Sequence, residues 1–176
     1  MLWLLIVAAA IAAALFVLWR RTARRPETVA LPLAPPLGPL LGIACGALLE
    51  LMLPTSLPLT SMGVPLGVGA LALGVAINVA AFTAFRGTGA SPNPGRVVPV
   101  VVDRGVFGIT RNPMYAGFLL VHVGIAFWSD SLWILFMVVP AWAVLRYAII
   151  AREEEYMRGR FPGAFDNYCR RVRRWL

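Results

Sequence analysis

Charged residues are scarce in this chain, and histidine and cysteine are scarcer still. Only 14% of the 176 residues are charged, against roughly 25% in an ordinary soluble domain, while 60% are hydrophobic and the mean hydropathy is +0.78. One histidine and two cysteines, Cys45 and Cys169, give neither a metal-ligand cluster nor a disulfide framework. The composition excludes an ordinary soluble domain and predicts an integral membrane protein.

The charge that is present is mostly positive, and lysine contributes none of it. All 16 basic residues are arginine, the net charge is +8 and the pI is about 11.0. In a soluble protein this excess would indicate nucleic-acid binding. Here the arginines fall between apolar runs, so we expect no nucleic-acid partner. Because basic loops mark the cytoplasmic side of a membrane, we predict that all 16 lie on that face.

Five apolar runs are long enough, or nearly so, to cross about 30 Å of hydrocarbon. They are Leu2–Trp19, Leu37–Leu53, Leu66–Phe85, Met114–Trp128 and Leu132–Ile150. The first run does not have the pattern of a signal peptide, because its arginines follow it instead of preceding it. The fourth is short for a full span, so both a tilted and a partial crossing stay open.

The predicted fold class is therefore an all-α integral membrane protein with about five transmembrane helices, forming a single domain over residues 1–176. Residues 1–85 supply three spans, and residues 86–176 supply a polar loop, a helical hairpin and cytoplasmic helices. The N-terminus is expected outside and the C-terminus inside. Two sets of small residues predict close helix packing, namely Gly38, Gly42 and Gly46 in the second span and Gly67, Gly74 and Ala81 in the third. We expect Asn78 to hydrogen-bond between helices.

The segment Gly105–Gly117, GVFGITRNPMYAG, changes from a polar loop to an apolar helix at Pro113. Asn112 suits the N-cap and Pro113 the first helical position, so a plain helix start with an interfacial Arg111 explains the pattern. A binding site explains it too, because a helix N-terminus presents free N–H groups. Gly105 would let a ligand approach the backbone, and Tyr115 would offer a flat face and a hydroxyl.

Three further features each allow a structural and a functional interpretation. Glu153, Glu154 and Glu155 form either a solvated helix face or a carboxylate site for a ribose or an ammonium group. Arg146, inside the last span, either snorkels to the interface or points into a cavity as a functional charge. It lies seven residues before Glu153, which would place both on one helix face. His122 either bonds between helices or contacts a ligand.

These residues together resemble a known family. The pattern G-V-F-x3-R-N-P-M-Y-x-G, an apolar hairpin, and then R-E-E-x-x-(L/M)-x3-F-x3-(Y/F)-x2-Y-x3-V-x-R-W is similar to that of the isoprenylcysteine carboxyl methyltransferases. That family is related to the phospholipid methyltransferases. The resemblance covers residues 86–176, about half of the chain.

The resemblance implies a multi-span methyltransferase that uses S-adenosylmethionine, yields S-adenosylhomocysteine and takes a lipophilic acceptor (a carboxylate, thiol or amine) from the bilayer. Asn112 stands where other members carry histidine, so any role that needs an imidazole is absent. We expect Arg146 or Arg111, as candidate catalytic residues, to orient an anionic group of the acceptor. The expected cofactor-binding residues are Val101, Val102, Gly105, Phe107, Asn112, Pro113, Tyr115, His122, Glu153 and Glu154.

Two other functions remain open at this point. Sterol reductases resemble the same C-terminal region but bind NADPH, and this chain is short beside them. A non-catalytic membrane scaffold would use the same motifs only to hold the hairpin together. The expected location is the bacterial plasma membrane, with the lipid bilayer itself as a partner and with no metal.

Overall fold

The computed structural model describes residues 36–86, 88 and 100–176, so the predicted span Leu2–Trp19 lies outside the described residues. The regular elements in the described ranges are all helical, with one isolated parallel β-bridge between Thr110 and Arg173. The α-helices are α1 (Leu37–Met52), α2 (Gly63–Ala84), α3 (Pro113–Trp128), α4 (Leu132–Phe136), α5 (Val138–Ala143), α6 (Ala151–Arg160) and α7 (Ala164–Arg171). Thr60–Met62 and Gly105–Gly108 are 3₁₀ turns, and Val144–Ile150 is π-helical.

Within the part of the chain that the structure describes, two helices are long and apolar enough to cross a membrane. They are α2, with 22 residues, and the continuous helix Leu132–Arg160, with 29, which runs from α4 to α6 and is called the long helix below. Its apolar part ends at Ile150, and α6 beyond it is charged. The helices α1 and α3 have 16 residues each, or about 24 Å at 1.5 Å per residue. The predicted all-helical fold is confirmed for the described residues, which contain two candidate spans, whereas the predicted number of about five spans stays a prediction.

Glycines bring α2 and α3 into close contact. A Cβ on Gly67 would stand 2.6 Å from the backbone N of Trp128, and one on Gly74 would stand 2.7 Å from the carbonyl oxygen of Gly117. The predicted packing face of the third span is therefore confirmed. Asn78 corrects a prediction, because its Nδ2 donates to the carbonyl oxygen of Gly74 in its own helix at 2.9 Å and not to a neighbouring helix.

The second span packs through its glycines as predicted. A Cβ on Gly42 would lie 2.7 Å from His122, and one on Gly46 would lie 2.6 Å from the Cα of Ile134. Contacts this short leave no room for a side chain, so α1 lies directly against α3 and α4. Here His122 is fully buried, and its Nε2 lies 3.0 Å from the carbonyl oxygen of Ile134.

A polar network closes the hairpin end of the bundle. Glu50 accepts hydrogen bonds from the hydroxyls of Ser131 at 2.5 Å and Thr55 at 2.8 Å, and from the backbone N–H of Thr55. Ser131 also caps the start of the long helix by accepting a hydrogen bond from the backbone N–H of Ile134 at 3.2 Å. Asp130 instead accepts from the backbone N of Leu57 at 2.8 Å.

The π-helical segment alters the register of the long helix. Val144–Ile150 winds with i→i+5 hydrogen bonds, so seven residues there no longer make two α-helical turns. The expectation that Arg146 and Glu153 share a face assumed regular α-helical spacing, which this segment does not have. Arg146 packs on the rings of Trp142 and Tyr147, whereas Glu153 bonds to Tyr115 on α3.

Candidate functional site

The loop before α3 is built as the motif predicts. Gly105 has a φ of +59°, a backbone conformation that glycine adopts at little cost. Asn112 occupies the N-cap position and Pro113 begins α3. However, the Asn112 side chain does not cap the helix. Its Nδ2 donates to the carbonyl oxygen of Arg174 at 2.9 Å, and the residue is buried.

The C-terminal residues 172–176, called the strap here, lie along this loop. The backbone N of Arg111 donates to the carbonyl oxygen of Arg173 at 2.9 Å, next to the Thr110–Arg173 bridge. The hydroxyl of Thr110 donates to the carbonyl oxygen of Arg174 at 3.1 Å. These bonds, with that of Asn112, hold the strap across the start of α3. The strap therefore forms one wall of the candidate site.

Glu154 binds the strap and the motif together through arginines. It is buried, and Arg174 grips it in a bidentate fork, with Nη2 at 2.6 Å and Nε at 3.0 Å. Arg111 Nη1 lies 3.2 Å from the same carboxylate, and the exposed Arg158 lies 3.8 Å away. The hydrogen bonds that Arg174 donates to Glu154 raise the pKa of Arg174. Glu154 therefore has three arginine partners already in place.

Glu153 has the opposite character. Its Oε1 accepts a hydrogen bond from the hydroxyl of Tyr115 at 2.7 Å, and no ion pair within 4.0 Å reaches it from the described residues. Burial, with a smaller contribution from the charge of Glu154, raises the pKa of Glu153 from 4.5 to about 7. Burial without a cation favours the protonated acid. Glu154 is thus paired with arginines, whereas the neighbouring Glu153 is not paired with a cation and would be stabilised in its charged form by one.

An apolar floor lies beside these carboxyl groups. Tyr115 packs with the fully buried side chains of Leu145, Ile149 and Ile150 from the long helix, and Trp175 of the strap joins them. The ring of Trp175 lies 6.5 Å from that of Trp142. The Tyr115 ring, whose hydroxyl holds Glu153, therefore packs on an apolar layer.

The residues before the motif pack on α7. Val101 contacts the buried cluster of Phe165, Tyr168 and Val172, and Val102 is itself buried. The hydroxyl of Tyr168 donates to the carbonyl oxygen of Phe107 at 2.7 Å, and burial raises the pKa of that hydroxyl. Phe107 makes an edge-to-face contact with Phe85, with ring centroids 5.3 Å apart. Contacts with α7 and with Phe85 therefore hold residues 101–107 in place.

Two expected site residues make no hydrogen bond or ion pair with Glu153 or Glu154 among the described residues. His122 is seven residues beyond Tyr115, or about 10 Å along the helix, and bonds to Ile134 at the α1 contact. Arg146 lies among aromatic rings on the long helix. In contrast, Arg111, Asn112, Tyr115, Glu153 and Glu154 meet around the strap.

Sequence reasoning assigned no role to the strap residues or to Tyr168. Arg174 holds Glu154, Trp175 completes the apolar floor, and Tyr168 holds Phe107. The signal was present in the final V-x-R-W of the motif, which corresponds to Val172, Arg174 and Trp175. That pattern reads equally well as a basic tail with an interfacial tryptophan, so no residue in it was predicted to contact the site.

Comparison with known proteins identifies the family of the chain. No curated protein and no solved structure matches the chain. The family model described as phospholipid methyltransferase matches residues 62–163, more than half of the 176. The match runs from the start of α2 through the motif and both glutamates and stops before α7. The resemblance that the motifs indicated is thereby confirmed, and the chain belongs to the phospholipid methyltransferase family, a family of membrane methyltransferases.

Proposed function

We propose that this protein is an integral membrane methyltransferase that moves a methyl group from S-adenosylmethionine to a lipophilic acceptor. One observation carries the proposal beyond the family. Glu153 is a half-buried carboxyl group beside the family motif, with a hydroxyl as its hydrogen-bond partner and no cation paired with it among the described residues. A cationic ligand would supply the positive charge that Glu153 lacks.

The residues around the motif fit S-adenosylmethionine, which carries a sulfonium and an ammonium charge. Glu153 can pair with one of these charges, and the Tyr115 hydroxyl keeps its carboxyl group oriented at 2.7 Å. The backbone at Gly105 is exposed and open to a ligand. Val101, Val102 and Phe107 offer apolar surface for adenine, and Asn112 offers an amide. Glu154 acts indirectly by holding Arg111 and the strap in place.

The bound cofactor supplies an electrophilic methyl group, whose bond to sulfur breaks as the bond to the acceptor forms, leaving a neutral thioether. The chain's own contribution is orientation, which lowers such barriers by several kcal/mol. A carboxylate or thiolate acceptor needs no general base. An amine acceptor must lose a proton, and Glu153, with its pKa raised to about 7, is suited to take it near neutral pH.

The topology proposed with this function has five spans, an outside N-terminus and a cytoplasmic site in the bacterial plasma membrane. The outward faces of α2 support immersion in lipid, since Val64, Val68, Val75 and Val79 are all more than half exposed. The described arginines other than Arg146 support the orientation, because they lie between α2 and α3, at the end of the long helix and in the tail. A water-soluble cofactor would reach that face directly.

The test is calorimetric binding of S-adenosylmethionine to the purified full chain in detergent micelles. Wild type should bind, and Glu153→Gln should weaken binding about tenfold or more, the usual scale for a charge-assisted contact. Glu155→Gln, which changes an exposed neighbouring carboxylate, should bind as wild type does. A folded wild-type protein that binds NADPH and not S-adenosylmethionine would favour the reductase, and one that binds neither would favour the scaffold.

A further inference from the structure

We propose that the strap is a lid over the proposed cofactor site and that Glu154 is its latch. In the closed form, which this structure shows, Glu154 binds Arg174 of the strap. In the open form Arg158 of α6 takes the place of Arg174. The inference rests on the proposed function and adds to it the way in which the cofactor enters and leaves.

The strap covers two side chains that are proposed to contact the cofactor. Asn112 is 8% exposed, and its Nδ2 already donates to the carbonyl oxygen of Arg174. Tyr115 is 7% exposed, and Trp175 of the strap packs against the apolar cluster to which Tyr115 belongs. Among the described residues of that cluster, Trp175 alone lies outside α3 and the long helix. A movement of the strap would therefore expose both side chains without any change in the helix bundle.

Few bonds hold the strap to the motif. The backbone N–H of Arg111 donates to the carbonyl oxygen of Arg173, and the hydroxyl of Thr110 donates to that of Arg174. Together with the side-chain amide bond described above, they accompany an isolated bridge and not a continuous β-ladder. Val172 packs in the buried cluster on α7 and so anchors one end of the strap. A segment with so few bonds opens locally at a much lower free energy than the whole fold.

Glu154 can lose Arg174 without becoming an unpaired buried charge. Its side chain is 6% exposed, and leaving such a carboxylate without a partner is costly. Arg111 stays beside it at 3.2 Å, because Arg111 belongs to the motif and not to the strap. Arg158 lies one helical turn away on α6, with its Nη2 3.8 Å from the carboxylate. When Arg174 leaves, Arg158 can close this gap, and its exposed pairing with Asp166 at 3.5 Å costs little to give up.

This exchange gives the two arginines opposite effects on the strap. Arg174 donates to Glu154 through two nitrogens, at 2.6 and 3.0 Å, and so stabilises the closed form. Arg158 gains its full contact with Glu154 in the open form and so stabilises that form. A purely structural cluster would behave differently, since each arginine in it would stabilise the same folded arrangement.

The test measures how fast a maleimide labels Thr110→Cys in the full-length protein in dodecyl maltoside micelles. Cys45→Ala and Cys169→Ser remove the two free native thiols, and every comparison is made in this triple-substituted background. Thr110 is 3% exposed and is bonded to the strap. The labelling rate therefore reports the fraction of molecules in which the strap is open.

The arginine variants should change this rate in opposite directions. Arg174→Gln should speed labelling about tenfold or more, because a charge-assisted contact of the closed form is lost. Arg174→Lys keeps the charge but not the fork, so its rate should lie between those of the background and Arg174→Gln. Arg158→Gln should slow labelling several-fold. Arg160→Gln, which changes an exposed arginine at the end of α6, should leave the rate as it is.

Other results overturn the proposal. Equal rates in the background and in Arg174→Gln would show that Glu154 does not latch the strap. Faster labelling in both Arg174→Gln and Arg158→Gln would mean general destabilisation and would refute the exchange of partners.

The cofactor arm of the experiment separates the lid from the proposed function. S-adenosylmethionine should slow labelling of the background protein, because it binds the closed form. Calorimetric binding with an unchanged labelling rate would show that the strap is not a lid on the cofactor site. Absence of binding would refute the proposed function, whereas the latch is judged by the variants without cofactor.

Discussion

Replacing Glu154 should release the strap, because this one carboxylate holds arginines from three segments. Its side chain is 6% exposed, and Arg111 beside it is 14% exposed. Removing one partner of a buried pair costs about 3–5 kcal/mol. We expect about 3 kcal/mol for Glu154→Ala, because the freed Arg174 and Arg158 are more exposed and can turn to solvent.

The assay is thermal unfolding of the purified protein in detergent. At roughly 2–4 °C per kcal/mol for a chain of this size, the apparent Tm should fall by roughly 6–12 °C. Glu155→Ala is the matched control, since this neighbouring carboxylate is exposed, and its Tm should stay within about 2 °C of wild type. Equal Tm values for the two variants would refute the reasoning. In a double-mutant cycle Arg174→Ala should be strongly non-additive with Glu154→Ala.

Three further predictions test other parts of the structure. The pKa of Glu153 is raised from 4.5 to about 7 in the folded protein, so protonation of this group stabilises the fold fully below pH 4.5, and this contribution is lost as the pH rises through 7. The Tm of wild type should therefore fall between pH 4.5 and 7 by more than the Tm of Glu153→Gln, measured by thermal unfolding at each pH. Gly46→Val should destabilise the protein strongly, because a Cβ there would meet the Ile134 backbone at 2.6 Å, whereas Gly69→Ala has open space and should be neutral or stabilising. Deleting residues 174–176 should lower S-adenosylmethionine affinity by about tenfold or more, since Asn112 and Glu154 lose their partners; unchanged affinity would show that the strap is not a wall of the site.

Most of the fold follows from short-range patterns that a sequence displays directly. Apolar run length located α1, α2 and α3 to within three residues at each end, and it located the start of the long helix but not its charged extension beyond Ile150. Spaced glycines located the faces along which helices pack, and Asn112-Pro113 located the start of α3. Each of these depends on the chain's local chemistry, which tertiary contacts did not override.

The details of the candidate site depend on tertiary contacts, and the sequence alone could not supply them. A chain with 16 arginines gives no means of telling that Arg174 and Arg111, rather than any others, meet Glu154. The π-helical turn changes the face on which Arg146 lies, and no hydropathy pattern reveals it. The contrast between Glu153 and Glu154 arises from burial and partners that only the folded chain defines.

Methyl transfer itself tests the central claim most directly. Membranes from cells that express the protein would be incubated with S-adenosylmethionine bearing a tritiated methyl group, and the label in the organic extract would be counted. Wild type should transfer label to extractable lipid well above membranes without the protein, Glu153→Gln should lose most of that transfer, and Glu155→Gln should retain it. Label that stays in the aqueous phase with wild type, or equal transfer by all three proteins, would contradict a methyltransferase site centred on Glu153.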